Sequence, residues 1–350
     1  MKIALITGSC GLVGSESSIF FSKKNFKIIG IDNNARKSFF GKDGDIEWVK
    51  KNLKKDLKEY VHYNLDIRNF TKLKKIFSKY KKNIKVIIHA AAQPSHDWAK
   101  NKPFTDFEIN AKGTLNLLEL TRIYCPKVPF IFMSTNKVYG DNPNNLPLVE
   151  KKTRWEIKKN HPYKNGIDES MSIDNCTHSF FGTSKSYADL IVQEYGTNVG
   201  LKTVCFRAGC ITGPKHSGAK LHGFLSYLVK ASIKKRKYTL IGYKGKQVRD
   251  NIHSQDLVSC FWEYYKKPRG GEVYNTGGGR FSNCSIIEAL DEVEELKKIK
   301  IKRKILYKNR IGDHIWYISS MKKFKKHYPN WIQKYSTKKI LKELVEVFSK

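Results

Sequence analysis

The stretch Lys2–Ser15, KIALITGSCGLVGS, decides how the chain is read. An apolar run, Ile3 to Ile6, closes at Thr7, and Gly8, Gly11 and Gly14 follow at GxxGxxG spacing ahead of a helix-compatible segment, Ser15 to Phe21. Strand, glycine turn and helix in this order form a phosphate cradle. Gly8 permits the tight turn, Gly11 admits backbone close to a pyrophosphate, and Gly14 lets the helix pack on the strand. The helix N-terminus then offers unpaired N–H groups to the phosphates.

A second apolar run, Phe26 to Ile31, ends in Asp32, near the offset of ~20 residues at which an acid takes the adenosine ribose of a dinucleotide. A carboxylate there repels a 2′-phosphate, which favours NAD over NADP, and Arg36 nearby pulls the other way. The alternation continues downstream. VHYNLDIR brings Asp66 and Ile67 to a strand end. Val86 to His89 runs into AAAQ, where Ala90, Ala91 and Ala92 either let a dinucleotide lie on the backbone or serve ordinary close packing. A helix is predicted over 104–124, a strand in PFIFMST ending at Ser134 and Thr135, a helix over 181–199, and a sixth strand in TVCFRAG. This is the pattern of an α/β fold with a doubly wound parallel sheet, whose ligands bind at the carboxyl ends of the strands. Asp32, Asp66, Ala90, Thr135 and Arg207 all stand at such ends. Residues 1–210 read as the dinucleotide-binding Rossmann domain with a polar insertion near 141–177, and 211–350 as a smaller α/β lobe with interleaved segments.

The net charge of +34 is carried mostly by lysines on helical segments such as 50–58, 72–82 and 297–304. No nucleic-acid motif accompanies them, so they read as solvated faces that draw anionic ligands, and no nucleic-acid partner is expected. The seven cysteines are scattered and lack a CxxC pair, the pattern of reduced thiols in a cytoplasm with neither a metal site nor a disulfide frame. The first strand begins at Lys2, so no secretory leader is expected. No apolar stretch is long enough to span a bilayer, so a cytoplasmic protein without a membrane partner is expected.

The glycine turn, Asp32, HAAAQ, DFEINAKGTLNLLE, STNKVYGD and SKSYAD together resemble the extended short-chain dehydrogenase/reductase superfamily of nucleotide-sugar enzymes, over nearly the whole chain. Within it, the DFEIN…GTLNLLE, STNKVYGD and GKQVRD blocks are similar to those of the CDP-paratose (CDP-tyvelose) 2-epimerases. The resemblance implies a tightly held NAD that oxidises a sugar carbon to a ketone and returns the hydride to its other face, in polysaccharide biosynthesis. It implies NAD contacts from Gly8, Gly11, Gly14, Asp32, Asn33, Arg36, Asp66, Ile67, Ala90, Ala91, Gln93, Asn110 and Lys185. Thr135 becomes the hydroxyl that bonds the reacting oxygen, and Lys185 the lysine of a Tyr-x-x-x-Lys pair. Asn136, Phe224, Lys246, Arg249 and Arg310 become substrate contacts, with both arginines on the nucleotide pyrophosphate and His222 near the base. A homo-oligomer is also implied. A 4,6-dehydratase of this superfamily needs an Asp–Glu pair after the threonine, where Asn136 and Lys137 stand here.

The chain departs from the pattern at one position. In HSFFGTSK the residue at Tyr-x-x-x-Lys spacing from Lys185 is Phe181, and a phenyl ring has no proton to exchange. General acid–base catalysis contributes about 10²–10⁴-fold. Either the role has moved, the protein has become a binder, or the phenylalanine was introduced. Tyr139, Tyr163, His96, His178 and Tyr187 are the candidates for a moved acid/base. Beside an epimerase, another nucleotide-sugar epimerase or ketoreductase of the same superfamily remains open, and so does a non-catalytic NAD-binding regulator or RNA-binding relative.

Overall fold

The computed structural model describes residues 1–216, 223–309 and 312–349. Its largest sheet is parallel and seven-stranded. The strands are β1 (Lys2–Thr7), β2 (Phe26–Ile31), β3 (Tyr60–Tyr63), β4 (Ile84–His89), β5 (Phe130–Thr135), β6 (Thr203–Ala208) and β7 (Glu272–Thr276). Their spatial order is β7-β6-β5-β4-β1-β2-β3, so the winding reverses between β1 and β4. That reversal opens a crevice at the carboxyl ends of these two strands, the site where such sheets take ligands. The strands are near-continuous apolar runs because both faces are covered: Ile3, Leu5, Ile29, Ile87, Phe130 and Phe132 are all fully buried.

The first helix, α1 (Leu12–Ser22), begins directly after the glycine turn. A short α2 (His96–Asn101) follows β4 and is capped by Ser95, whose hydroxyl accepts the Trp98 N–H at 3.2 Å. The helix predicted over 104–124 is present in pieces. Pro103–Phe107 is α-helical, a single π-turn occupies Glu108–Lys112, and α3 spans Gly113–Tyr124. The widened turn lets Asn110 point inward, and such turns often mark functional positions. The helix predicted over 181–199 is α4 (Phe180–Thr197), whose buried face runs Phe181, Ser184, Lys185, Ala188, Asp189 and Val192 at helical spacing.

The chain forms two compact units, each made of three segments that alternate along the sequence. The first holds 1–138, 180–207 and 258–274; the second holds 139–179, 208–257 and 275–350. Residues 258–274 join the first because of their aromatic side chains: Trp262 meets Phe21 at 5.7 Å between ring centroids and Phe261 meets Phe206 at 5.1 Å. The insertion read from sequence near 141–177 lies within 139–179, which belong to the second unit. There Trp155 N–H donates to Lys246 O, Ile167 N–H to Ile318 O, and the Asn144 side chain to Asp313 O.

The second unit is centred on the strand Val248–His253, which pairs with Cys210–Thr212, Asn283–Ser285 and Trp316–Tyr317. Its core is a cluster of Leu225, Leu228, Val229, Leu290, Val293, Leu341 and Leu344 from three helices. Among the described residues, no helix is long and apolar enough to cross a membrane.

Candidate active site

The glycine turn is packed backbone against backbone, which only residues without a side chain permit. Gly8 has φ of +66°, and a Cβ there would sit 2.7 Å from the Ala91 nitrogen. A Cβ on Gly14 would sit 2.0 Å from the Gly8 carbonyl oxygen. The first close approach brings the turn after β1 against the Ala90–Ala91 backbone after β4, and the second seats α1 on the turn. Any larger residue at either position would force these backbones apart and distort the turn. A pyrophosphate needs this shape and the N–H groups that open α1.

Asp32 stands at the end of β2 and accepts two backbone N–H groups, from Cys10 at 2.9 Å and from Asn34 at 2.8 Å. Burial lifts its carboxyl above the usual range, against those two bonds and the Lys50 charge, which pull it down. Asn33 donates to Asp66 at 3.1 Å, and Asp66 is further held by the Arg68 guanidinium at 2.9 Å. Arg36 is half-buried, lies 4.7 Å from the Phe40 ring centre, and has its pKa lowered to about 10 by burial. Ile67 is buried against Gly113.

A buried polar network follows β4. Gln93 is fully buried; its backbone N–H donates to Asn110 Oδ1 at 3.0 Å and its side-chain amide to Asp106 at 2.6 Å. The Asn110 amide reaches Asp106 at 3.1 Å and the Ser184 hydroxyl at 3.0 Å. The residue after Ser184 is Lys185, whose ammonium donates to Met133 O at 2.7 Å and lies 4.1 Å from the Phe132 ring centre. Burial brings its pKa down to about 8, against the raising influence of Asp189, Cys205 and Asp106. Thr135, half-buried at the end of β5, accepts the Lys137 N–H at 3.2 Å and faces Asn136 Oδ1 at 3.4 Å. The first unit therefore brings Thr135, Lys185, Gln93 and Asn110 onto adjoining elements at the carboxyl ends of β4 and β5.

Phe181 is buried on the inner face of α4, and the imidazole of His96 packs against its ring, with centroids 5.0 Å apart and planes at 67°. The other four candidates for a moved acid/base are placed differently. Tyr139 donates to Asn275 Oδ1 at 2.8 Å, Tyr163 contacts Ser170 at 3.4 Å, and the His178 ring lies 3.7 Å from the Cys176 sulfur; all belong to the second unit. Tyr187 packs on Phe107 at 5.8 Å, on an exposed face.

The substrate contacts expected in the second unit are mixed. Arg249 donates to Val248 O at 2.7 Å and is ion-paired with Asp313. Lys246 is tied down by Glu150 at 2.7 Å and Lys151 O at 2.9 Å, which leaves its ammonium engaged in structure. Phe224 opens a helix and packs on that unit's core. His222 and Arg310 lie outside the described residues.

Sequence reasoning missed the role of Asp189. Its carboxylate takes the Ser134 hydroxyl and both Nε and Nη2 of Arg207, at 3.1 and 2.7 Å, with all these side chains buried. The signal was the four-residue step from Lys185 to Asp189, which puts both on one helix face.

Comparison with known proteins identifies the family. The model of the NAD dependent epimerase/dehydratase family matches residues 4–277. CDP-paratose 2-epimerase of Salmonella typhi is 32% identical over 310 residues, covering 86% of each chain. UDP-glucuronate 4-epimerase of Thermodesulfobacterium geofontis is 27% identical over 308 residues, covering 87% of this chain and 84% of that one. The crystal structure of Thermus thermophilus UDP-glucose 4-epimerase, a complex with NAD, superimposes with a TM-score of 0.78 at 22% identity, over 99% of this chain and 98% of that chain.

Proposed function

Because the chain belongs to the NAD dependent epimerase/dehydratase family, we propose that it inverts one carbon of a nucleotide-activated sugar, as a CDP-sugar 2-epimerase. The carrying observation is the extent of the similarity to CDP-paratose 2-epimerase: 310 aligned residues are more than the first unit contains, so the likeness is not confined to cofactor binding. Asn136 and Lys137, in place of an acid pair after Thr135, support epimerisation over dehydration.

The cofactor is NAD, and the residues present fit it. Gly8, Gly11 and Gly14 with the start of α1 would hold the pyrophosphate, and Asp32 the adenosine ribose. When bound, NAD supplies a hydride acceptor that becomes the donor of the return step. Lys185 would hold the nicotinamide ribose, pre-oriented by Met133 O and by the Asn110–Ser184 network. Thr135 Oγ would bond the reacting sugar oxygen and fix the carbon toward the cofactor. Arg249 would take the nucleotide pyrophosphate, to which a guanidinium fork is matched.

The test is incubation with CDP-, UDP-, GDP- and dTDP-sugars in deuterated buffer, followed by NMR. Inversion at one carbon of a CDP-sugar without deuterium at that carbon is the expected result, because the hydride never reaches solvent. Deuterium at the inverted carbon would mean proton abstraction beside a carbonyl and would overturn the mechanism. Inversion of another nucleotide sugar alone would overturn the CDP assignment.

A further inference from the structure

We propose that His96 is the catalytic acid/base of this site, exchanging the sugar hydroxyl proton in place of the phenol that Phe181 lacks. This inference rests on the epimerase reading above. Oxidising an alcohol to a ketone removes a hydride from carbon and a proton from oxygen, and NAD, when bound, would account only for the first. The proton needs a side chain that can both accept it and give it back, and an imidazole nitrogen does both.

The placement follows from the contacts. Phe181 stands on the buried face of α4 one helical turn before Lys185, and at 7% exposed its ring is packed by neighbours on nearly every side. The imidazole of His96 lies against that ring at 5.0 Å in an edge-to-face arrangement. It is half-buried, so the imidazole meets the phenyl ring and still keeps access to water.

Its backbone is not loose. Ser95 caps α2 through Trp98, and its carbonyl accepts the Gln93 amide at 3.0 Å. Gln93 is bonded to Asn110, and Asn110 to Ser184 beside Lys185. A continuous buried network therefore ties the histidine to the helix that carries the lysine, which is the support a catalytic group requires.

The proton balance closes. As the carbon gives up its hydride, the imidazole nitrogen takes the hydroxyl proton and the ketone forms. When the hydride returns to the other face, the same nitrogen gives the proton back to the ketone oxygen. No further oxidant or reductant is consumed.

The experiment compares wild type, His96→Asn, and His96→Asn with Phe181→Tyr, using the nucleotide sugar that the wild type inverts. Bound NAD is read by mass spectrometry and sugar affinity by calorimetry. His96→Asn is expected to lower kcat by about 10²–10⁴-fold while NAD content and sugar Kd stay within about threefold, the signature of an interaction made only in the transition state. The added tyrosine is expected to recover at least tenfold of the loss, roughly the lower part of that range. In His96→Ala, added imidazole should restore turnover in proportion to its concentration.

A His96→Asn protein that keeps a third or more of wild-type kcat overturns the assignment of His96 and leaves the epimerase reading standing. The assignment fails equally if kcat falls only in step with lost NAD or lost sugar binding, or if neither the tyrosine nor imidazole rescues. A wild type that binds nucleotide sugars and inverts none overturns both readings.

Discussion

The Asp189 carboxylate grips the Arg207 guanidinium through two parallel hydrogen bonds, and both side chains are almost fully withdrawn from water. The same carboxylate receives the Ser134 hydroxyl, so this pair fixes the end of β5 where Thr135 stands. Removing one partner leaves a buried charge alone, which costs about 3–5 kcal/mol. Asp189→Ala is expected to lose that much stability in urea unfolding and to lower kcat by misplacing Thr135. A loss under about 1 kcal/mol, the range of exposed pairs, would contradict this account.

The cofactor assignment makes its own prediction. The purified protein should carry NAD or NADH without reconstitution, seen by mass spectrometry of the denatured supernatant. Asp32→Ala should weaken NAD binding and admit NADP, because the carboxylate that repels a 2′-phosphate is gone. Predominant NADP in the wild type would reverse the roles assigned to Asp32 and Arg36.

These two predictions differ in how far the sequence leads to them. Gly8, Gly14 and Asp32 are legible because their job is local: a turn, a helix start and a strand end lie within one βαβ unit. The alternation of apolar runs likewise reads as a parallel sheet, since burial on both faces leaves a periodic signature. The placement of 139–179 is not legible in this way because the segment is polar and its partners, Lys246, Asp313 and Ile318, lie far along the chain. The His96–Phe181 contact is invisible for the same reason. Both residues stand out in the sequence, but nothing in it brings their rings together.

The substrate grip can be tested at Arg249. A guanidinium on a phosphate makes charge-assisted bonds worth about 1.5–3 kcal/mol, or about 10- to 150-fold in Kd. Arg249→Met should weaken nucleotide-sugar binding by that factor in calorimetry and leave NAD content unchanged. Asp313→Asn removes the carboxylate that now pairs with Arg249 and should tighten binding or leave it equal. Equal affinity for wild type and Arg249→Met would remove Arg249 from the substrate contacts.

Lys185 gives opposite pH trends for stability and rate. Burial lowers its pKa from 10.5 to about 8 in the fold, so between those values the unfolded chain holds a proton that the folded chain has lost. Its contribution to stability therefore rises with pH across that window. The charged form that donates from the ammonium is lost over the same range. We expect kcat to fall as pH rises through about 8 while the Lys185 contribution to unfolding free energy grows, and Lys185→Met to abolish both trends. A rate flat from pH 7 to 10 would show that the ammonium charge is not needed.

Phe181→Tyr in the otherwise wild-type protein decides whether the phenol position is vacant or superseded. The ring is 7% exposed and packs against His96, so an added hydroxyl needs space and a partner in a site shaped around a phenyl ring. A buried hydroxyl without a partner costs about 1–3 kcal/mol, which should appear as a lower midpoint in urea. With His96 already exchanging the proton, a second acid/base adds little, and kcat should stay within about tenfold of wild type, below the range expected for gaining an absent general base. If the role had simply been lost, tyrosine at this spacing from Lys185 would raise kcat by about 10²–10⁴-fold. Lys185→Ala should be damaging in both backgrounds, because the lysine proposed to hold the nicotinamide ribose would be lost whichever side chain carries the proton.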